Sequence, residues 1–180
     1  MIHYDQFSFG APPRSATSWF IKACTEVGLP DKPEDFVHNI PTKVEEKRYI
    51  VSTVRHPYDW LRSYFHAVKN MQIKPIYPFE NHIHAATHND FVRRVVLNDP
   101  GHICKLFDAY KASTVIRLED LPWAAVGFFQ TLGISRHKSE ECRSLPKLNV
   151  GRNQIEKTDK YLRRMLVESE KDFCERYDYS

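Results

Sequence analysis

Gln6-Phe7-Ser8-Phe9-Gly10-Ala11-Pro12-Pro13-Arg14-Ser15-Ala16-Thr17-Ser18-Trp19-Phe20 is the stretch on which the reading of the fold turns. Gln6 to Phe9 is short and aromatic-rich, as a strand would be, and Gly10 to Pro13 breaks any regular element. From Thr17 onward, Trp19, Phe20, Ala23 and Val27 recur at helical spacing and stop at Gly28, which predicts a helix with a glycine at its C-terminal end. A strand that hands over to a helix through a short loop brings backbone N–H groups and the positive helix end to one spot, where anions bind readily. Arg14 adds a guanidinium fork, and Ser15, Thr17 and Ser18 add hydroxyl donors. The plain alternative is a Pro-rich turn with a Ser or Thr cap on an ordinary helix. The loop is no Walker A motif, since no Lys-Ser or Lys-Thr pair follows and Ala16 stands where a loop glycine is expected.

Outward from this unit the strand-to-helix pattern repeats. Phe36 to Ile40 is a candidate strand, and Tyr49 to Val54 is β-branched and apolar on both faces, as a buried parallel strand requires. Pro57 suits the first turn of a helix running to about Asn70, with Trp60, Leu61, Tyr64, Phe65 and Val68 on one side. Met71 to Thr87, rich in Pro and His, predicts a long surface loop able to cover a site. Helices are expected near Asp90 to Asn98, Gly101 to Tyr110 and Pro122 to Leu132, and in the tail from Thr158, with a strand at Ser113 to Leu118. Alternating strands and helices argue for an α/β domain around a central parallel sheet flanked by helices, one domain over residues 1–180.

The totals narrow the function. Of 180 residues, 26 are Lys or Arg and 23 Asp or Glu, so the formal charge of +3 is too small for a sequence-independent nucleic-acid binder. A local surplus exists between Arg136 and Arg164, where nine Lys or Arg face four acids, and it would suit an anionic ligand. Cys24, Cys104, Cys142 and Cys174 are scattered without a CxxC pair, which reads as reduced thiols of a cytoplasmic protein. No segment approaches the roughly 18 apolar residues of a membrane span.

A second anion site is legible at Arg55-His56-Pro57-Tyr58-Asp59-Trp60-Leu61-Arg62-Ser63. A guanidinium ends the buried strand, and a hydroxyl follows on the next helix about a turn and a half beyond Pro57. The alternative pairs Arg55 with an acid such as Asp59 and leaves Ser63 bonded locally.

The two segments, taken in order, resemble the donor-binding motifs of sulfotransferases that use 3′-phosphoadenosine 5′-phosphosulfate. Pro13-Arg14-Ser15-Ala16-Thr17-Ser18-Trp19 resembles the 5′-phosphosulfate loop, usually Pro-Lys/Arg-Ser-Gly-Thr-Thr/Ser-Trp, with Ala16 in place of glycine. That exchange adds a methyl group and opposes positive φ. Arg55-x-Pro57 followed by Ser63 resembles the 3′-phosphate motif, and Val115 to Leu121 the strand and Glu-Asp-Leu turn that come after it. Leu148 to Asn153 resembles, more loosely, a late basic loop that closes over the 3′-phosphate, with Gly151 and Arg152 as ligands. The resemblance implies a three-layer P-loop-type fold. Arg14, Ser15, Ala16, Thr17, Ser18 and Trp19 would hold the 5′ end, and Arg55 and Ser63 the 3′-phosphate. It implies transfer of a sulfuryl group to a small-molecule or carbohydrate hydroxyl or amine, without a metal. Residues from about Asn70 to Tyr110 match no motif, and acceptor specificity is expected there.

In-line placement and electrostatic stabilisation supply most of such a reaction, and Arg14 would stabilise the leaving phosphate. A general base is also needed. His38, in Val37-His38-Asn39-Ile40-Pro41, resembles the family's catalytic His near a Pro, and Glu80, His82, His84 and His88 are alternatives. Glu119 and Asp120 read as structural, capping the Pro122 helix or pairing with an Arg. Two other functions fit the residues: a P-loop-type small-molecule kinase, and a nucleotide-binding relative without turnover.

Overall fold

The computed structural model describes residues 1–30, 40–146 and 159–179. Strand β1 (Ile2–His3) pairs antiparallel with β2 (Ser8–Phe9), and the loop beyond it leads into helix α1 (Thr17–Glu26). Next come β3 (Ile50–Val54) and α2 (Pro57–Lys69), followed by α3 (His88–Asn98) and α4 (His102–Asp108). Strand β4 (Thr114–Arg117), α5 (Trp123–Thr131), α6 (Arg136–Glu140), α7 (Lys160–Ser169) and α8 (Lys171–Arg176) complete the order. Short 3-10 turns occur between some of these elements.

The fold is α/β, with a four-stranded mixed sheet in the order β1-β2-β3-β4. β2 is parallel to β3 and β3 to β4, with Phe9 opposite Val51 and Thr53 opposite Ile116. The expected all-parallel sheet is thus three parallel strands with an antiparallel edge. The two-residue β1 is too short to give a periodic signal in the sequence. All five residues of β3 are buried, the hydroxyls Ser52 and Thr53 included, as in a parallel strand covered on both faces.

The chain forms two compact units, residues 1–55 with 107–150, and residues 56–106 with 151–180. The first holds the whole sheet. One of its cores joins Phe9 of β2, Phe20 of α1, Val51, Ile116 and the α5 residues Phe128 and Phe129. Phe9 and Phe20 stack at 4.4 Å, and Phe7 meets Phe128 edge-on at 5.2 Å. Truncating Phe20 to Ala would cost about 3–5 kcal/mol.

The second unit is helical. α2 packs on α3 and α7, with Trp60 stacked on Tyr64 at 5.2 Å and Phe65 against Phe91. Thr87 caps α3 by accepting from the Asp90 N–H, and Asp159 caps α7 by accepting from Tyr161 and Leu162. The predicted loop before α3 holds a 3-10 turn at Phe79–His82 whose Phe79 is buried. Phe36 to Asn39, within the predicted second strand, lies outside the described residues.

Candidate anion site

The loop between β2 and α1 is built from the strand outward. Gly10 continues the ladder by donating to the Val51 carbonyl at 3.0 Å. A Cβ on Gly10 would come within 2.9 Å of Met1 Cγ and 3.2 Å of a Tyr110 ring carbon, so this position has little room for a side chain. Ala11, Pro12 and Pro13 are buried. The backbone then turns left-handed twice, at Arg14 with φ 70° and at Ala16 with φ 62° and ψ 20°. Ala16 thus takes a conformation that favours glycine, and it does so with its methyl group in place. Left-handed residues in a turn fold successive N–H groups toward a concavity that suits anions.

Ala16 is also the N-cap of α1, and its side chain offers the helix no hydrogen bond. Its carbonyl accepts from the Phe20 N–H at 3.0 Å, which starts the helix. At the other end Gly28, with φ 86°, stops the helix as the sequence predicts.

The side chains at this turn include two that lack a counterpart. Ser15 is 0% exposed and Thr17 7%, yet neither hydroxyl has a hydrogen-bond partner among the described residues. A buried hydroxyl left this way costs about 1–3 kcal/mol. Arg14 is half-buried, and burial draws its guanidinium below the ordinary arginine range. Ser18 is exposed, and Trp19 packs into the core. From the neighbouring strand, the Thr53 hydroxyl donates to the Ser15 carbonyl. Ser52 is another buried hydroxyl without a partner among the described residues, and alternation along β3 sets it on the opposite pleat from Thr53.

Arg55 follows β3 directly and is half-buried in the first unit. Ser63 is buried on α2 in the second. The α2 start conforms to expectation, with Pro57 at the first helical position and the His56 ring accepting from the Tyr58 N–H at 3.1 Å. Asp59, the acid weighed as a partner for Arg55, pairs with Arg62 at 3.4 Å and Arg163 at 3.8 Å. His38, Gly151 and Arg152 lie outside the described residues.

The alternative bases all belong to the second unit. His82 is held by Asp99, nitrogen to carboxylate oxygen. Glu80 and His84 are exposed. His88 is buried edge-on to Tyr58 at 5.0 Å, and burial, reinforced by His66 and Arg62, lowers it to about 4. The three histidines of this run therefore sit in three different settings. No three His, Cys, Asp or Glu side chains gather as metal ligands among the described residues.

The basic stretch after residue 135 is partly engaged at home. Arg136 pairs with Glu140 at 2.9 Å, Lys138 with Glu141 at 2.6 Å, and Arg143 lies over the Trp123 ring at 3.7 Å. Asp120 pairs with Arg117 through both carboxylate oxygens, so the pairing expected for the Glu-Asp-Leu turn is present. No helix among the described residues is long and apolar enough to cross a membrane. No family model matches the chain, and neither the curated proteins nor the solved structures yield a match.

Sequence reasoning missed Glu170. Its carboxyl group is buried and accepts from the Ile103 and Cys104 N–H groups at 3.2 and 3.0 Å, closing the start of α4 from 67 and 66 residues away. An acid within a predicted helical tail carries no local signal of such a contact.

Proposed function

We propose that the chain binds 3′-phosphoadenosine 5′-phosphosulfate and transfers its sulfuryl group to a hydroxyl or amine of a small-molecule or carbohydrate acceptor. The observation that carries this reading is the pair of buried hydroxyls, Ser15 and Thr17, left without partners among the described residues in a left-handed turn at the start of α1. An anion with several acceptor oxygens would satisfy both hydroxyls and the loop amides together. The order of motifs supplies the rest: by resemblance, Arg14 would lie beside the bridging oxygen and Arg55 would meet the 3′-phosphate. The reading carries with it a P-loop-type three-layer fold, of which the α/β sheet and the loop-to-helix unit are the supporting parts.

In this chemistry the acceptor oxygen or nitrogen attacks sulfur in line as the bond to the bridging phosphate oxygen breaks. The electron pair of that bond stays on the phosphate, leaving 3′,5′-adenosine bisphosphate. Arg14 and the Ser15 to Ser18 N–H groups would stabilise the charge that gathers there. A base takes the acceptor proton. His38 holds this role by resemblance. A kinase reading is weaker because the loop has no Lys followed by Ser or Thr.

The test is release of 3′,5′-adenosine bisphosphate from the donor across a panel of phenols, sugars and amines, with Arg14→Ala and His38→Ala alongside. Turnover lost in His38→Ala with donor binding kept supports an enzyme with that base. Donor binding without turnover on any acceptor supports a binding protein. Turnover retained by Arg14→Ala contradicts the role given to the loop.

A further inference from the structure

Thr53 makes no contact that the sequence motifs call for, yet it is fully buried and two residues from Arg55. Its backbone is committed to the parallel ladder opposite Ile116. Its hydroxyl crosses to the phosphate loop and donates to the Ser15 carbonyl. That carbonyl lies between the two left-handed residues, Arg14 and Ala16. L-residues persist in such a conformation only where their surroundings over-determine it. The hydrogen bonds that act on the turn in this way include the first of α1, from Phe20 to Ala16, and the one from Thr53. The first would form in any helix starting at Thr17. The second depends on a single side chain.

We propose that Thr53 is a positioning residue of the anion site: it touches no ligand, but its bond to the Ser15 carbonyl holds the loop in its anion-binding turn. The strand that leads into Arg55 thereby also fixes the loop that carries Arg14. This inference rests on the reading of the loop as the donor's 5′ site, and its test separates the two.

The variants are Thr53→Val, which keeps shape and removes the donor, and Thr53→Ser, which restores it. Amide hydrogen exchange of Ser15 to Phe20 is followed without ligand, and 3′,5′-adenosine bisphosphate affinity by calorimetry. In Thr53→Val the loop amides are expected to exchange about tenfold faster, with those of β4 and α5 unchanged. Affinity should fall roughly 3- to 10-fold, and Thr53→Ser should recover both. Unchanged exchange and affinity in Thr53→Val overturn the proposal. So does faster exchange spread evenly through the unit, which marks a merely structural residue. Should Thr53→Val fail to fold, Thr53→Ala against Thr53→Ser gives the same comparison. If the wild type binds no nucleotide, the donor reading fails on its own, and the exchange measurement still decides the role of Thr53.

Discussion

Arg14 and Ala16 stand left-handed on either side of the buried Ser15, at φ 70° and 62°. For an L-residue this costs about 1–2 kcal/mol, and glycine would remove it at Ala16. Glycine also frees the unfolded chain, which takes back about 0.4–1 kcal/mol. Ala16→Gly is expected to stabilise the protein by about 0.5–1 kcal/mol, seen as a higher denaturant midpoint at unchanged slope. A lower midpoint would mean that the methyl contributes more by packing against the core than it strains the turn.

Ser15→Ala separates a ligand hydroxyl from a structural one. Removing a buried hydroxyl that has no partner among the described residues relieves its desolvation, so the unliganded protein should gain up to about 1 kcal/mol. Nucleotide affinity should fall at the same time, by about fivefold or more. Thermal unfolding with and without 3′,5′-adenosine bisphosphate reads both effects. A variant that is less stable without ligand and binds as the wild type does would assign Ser15 to the scaffold.

Glu170 gives stability a pH dependence. Burial pushes its carboxyl up to about 7, against an ordinary 4.5, although the Cys104 and Ile103 N–H groups oppose the shift. Between those values the folded chain keeps a proton that the unfolded chain has released. The contribution is therefore full below 4.5 and lost as pH rises through about 7, to the extent of roughly 3 kcal/mol. Glu170→Gln stays neutral throughout. Denaturation midpoints from pH 4.5 to 8 should fall in the wild type relative to this variant, and parallel curves would contradict the assignment.

His88 acts with the opposite sign. Its imidazole, buried and held near 4 against an ordinary 6.5, refuses a proton that the unfolded chain accepts. Its contribution is present above 6.5 and lost as pH falls toward 4, again by roughly 3 kcal/mol. His88→Phe keeps a ring against Tyr58 and Phe65 and should hold its stability at pH 4.5 better than the wild type. Because the two windows overlap, each slope emerges only in the single variants. A His88→Phe profile parallel to that of the wild type would count against a buried neutral imidazole.

The elements that the sequence made legible are those with a strong local cause. β3 is β-branched and buried on both faces, α2 opens on Pro57, and Gly28 stops α1; all three stand within two residues of their expected bounds. The β1 edge had no such cause, being two residues long. The loop was legible as a strand-to-helix turn with hydroxyls and a guanidinium, but its handedness was not. Alanine signals right-handed helix more than any other residue, and only tertiary restraint turns Ala16 the other way. The bonds from Thr53 to Ser15 and from Glu170 to the α4 start span 38 and 66 or more residues, distances over which periodicity says nothing.

The most direct test of the donor site is calorimetric titration of 3′,5′-adenosine bisphosphate, ADP and ATP into the wild type and Arg55→Ala. The 3′-phosphorylated nucleotide is expected to bind the wild type at least about tenfold more tightly than ADP, a difference of roughly 1.4 kcal/mol, and to lose this preference in Arg55→Ala. Equal affinity for all three nucleotides, or none for any, would contradict a donor site that reads the 3′-phosphate.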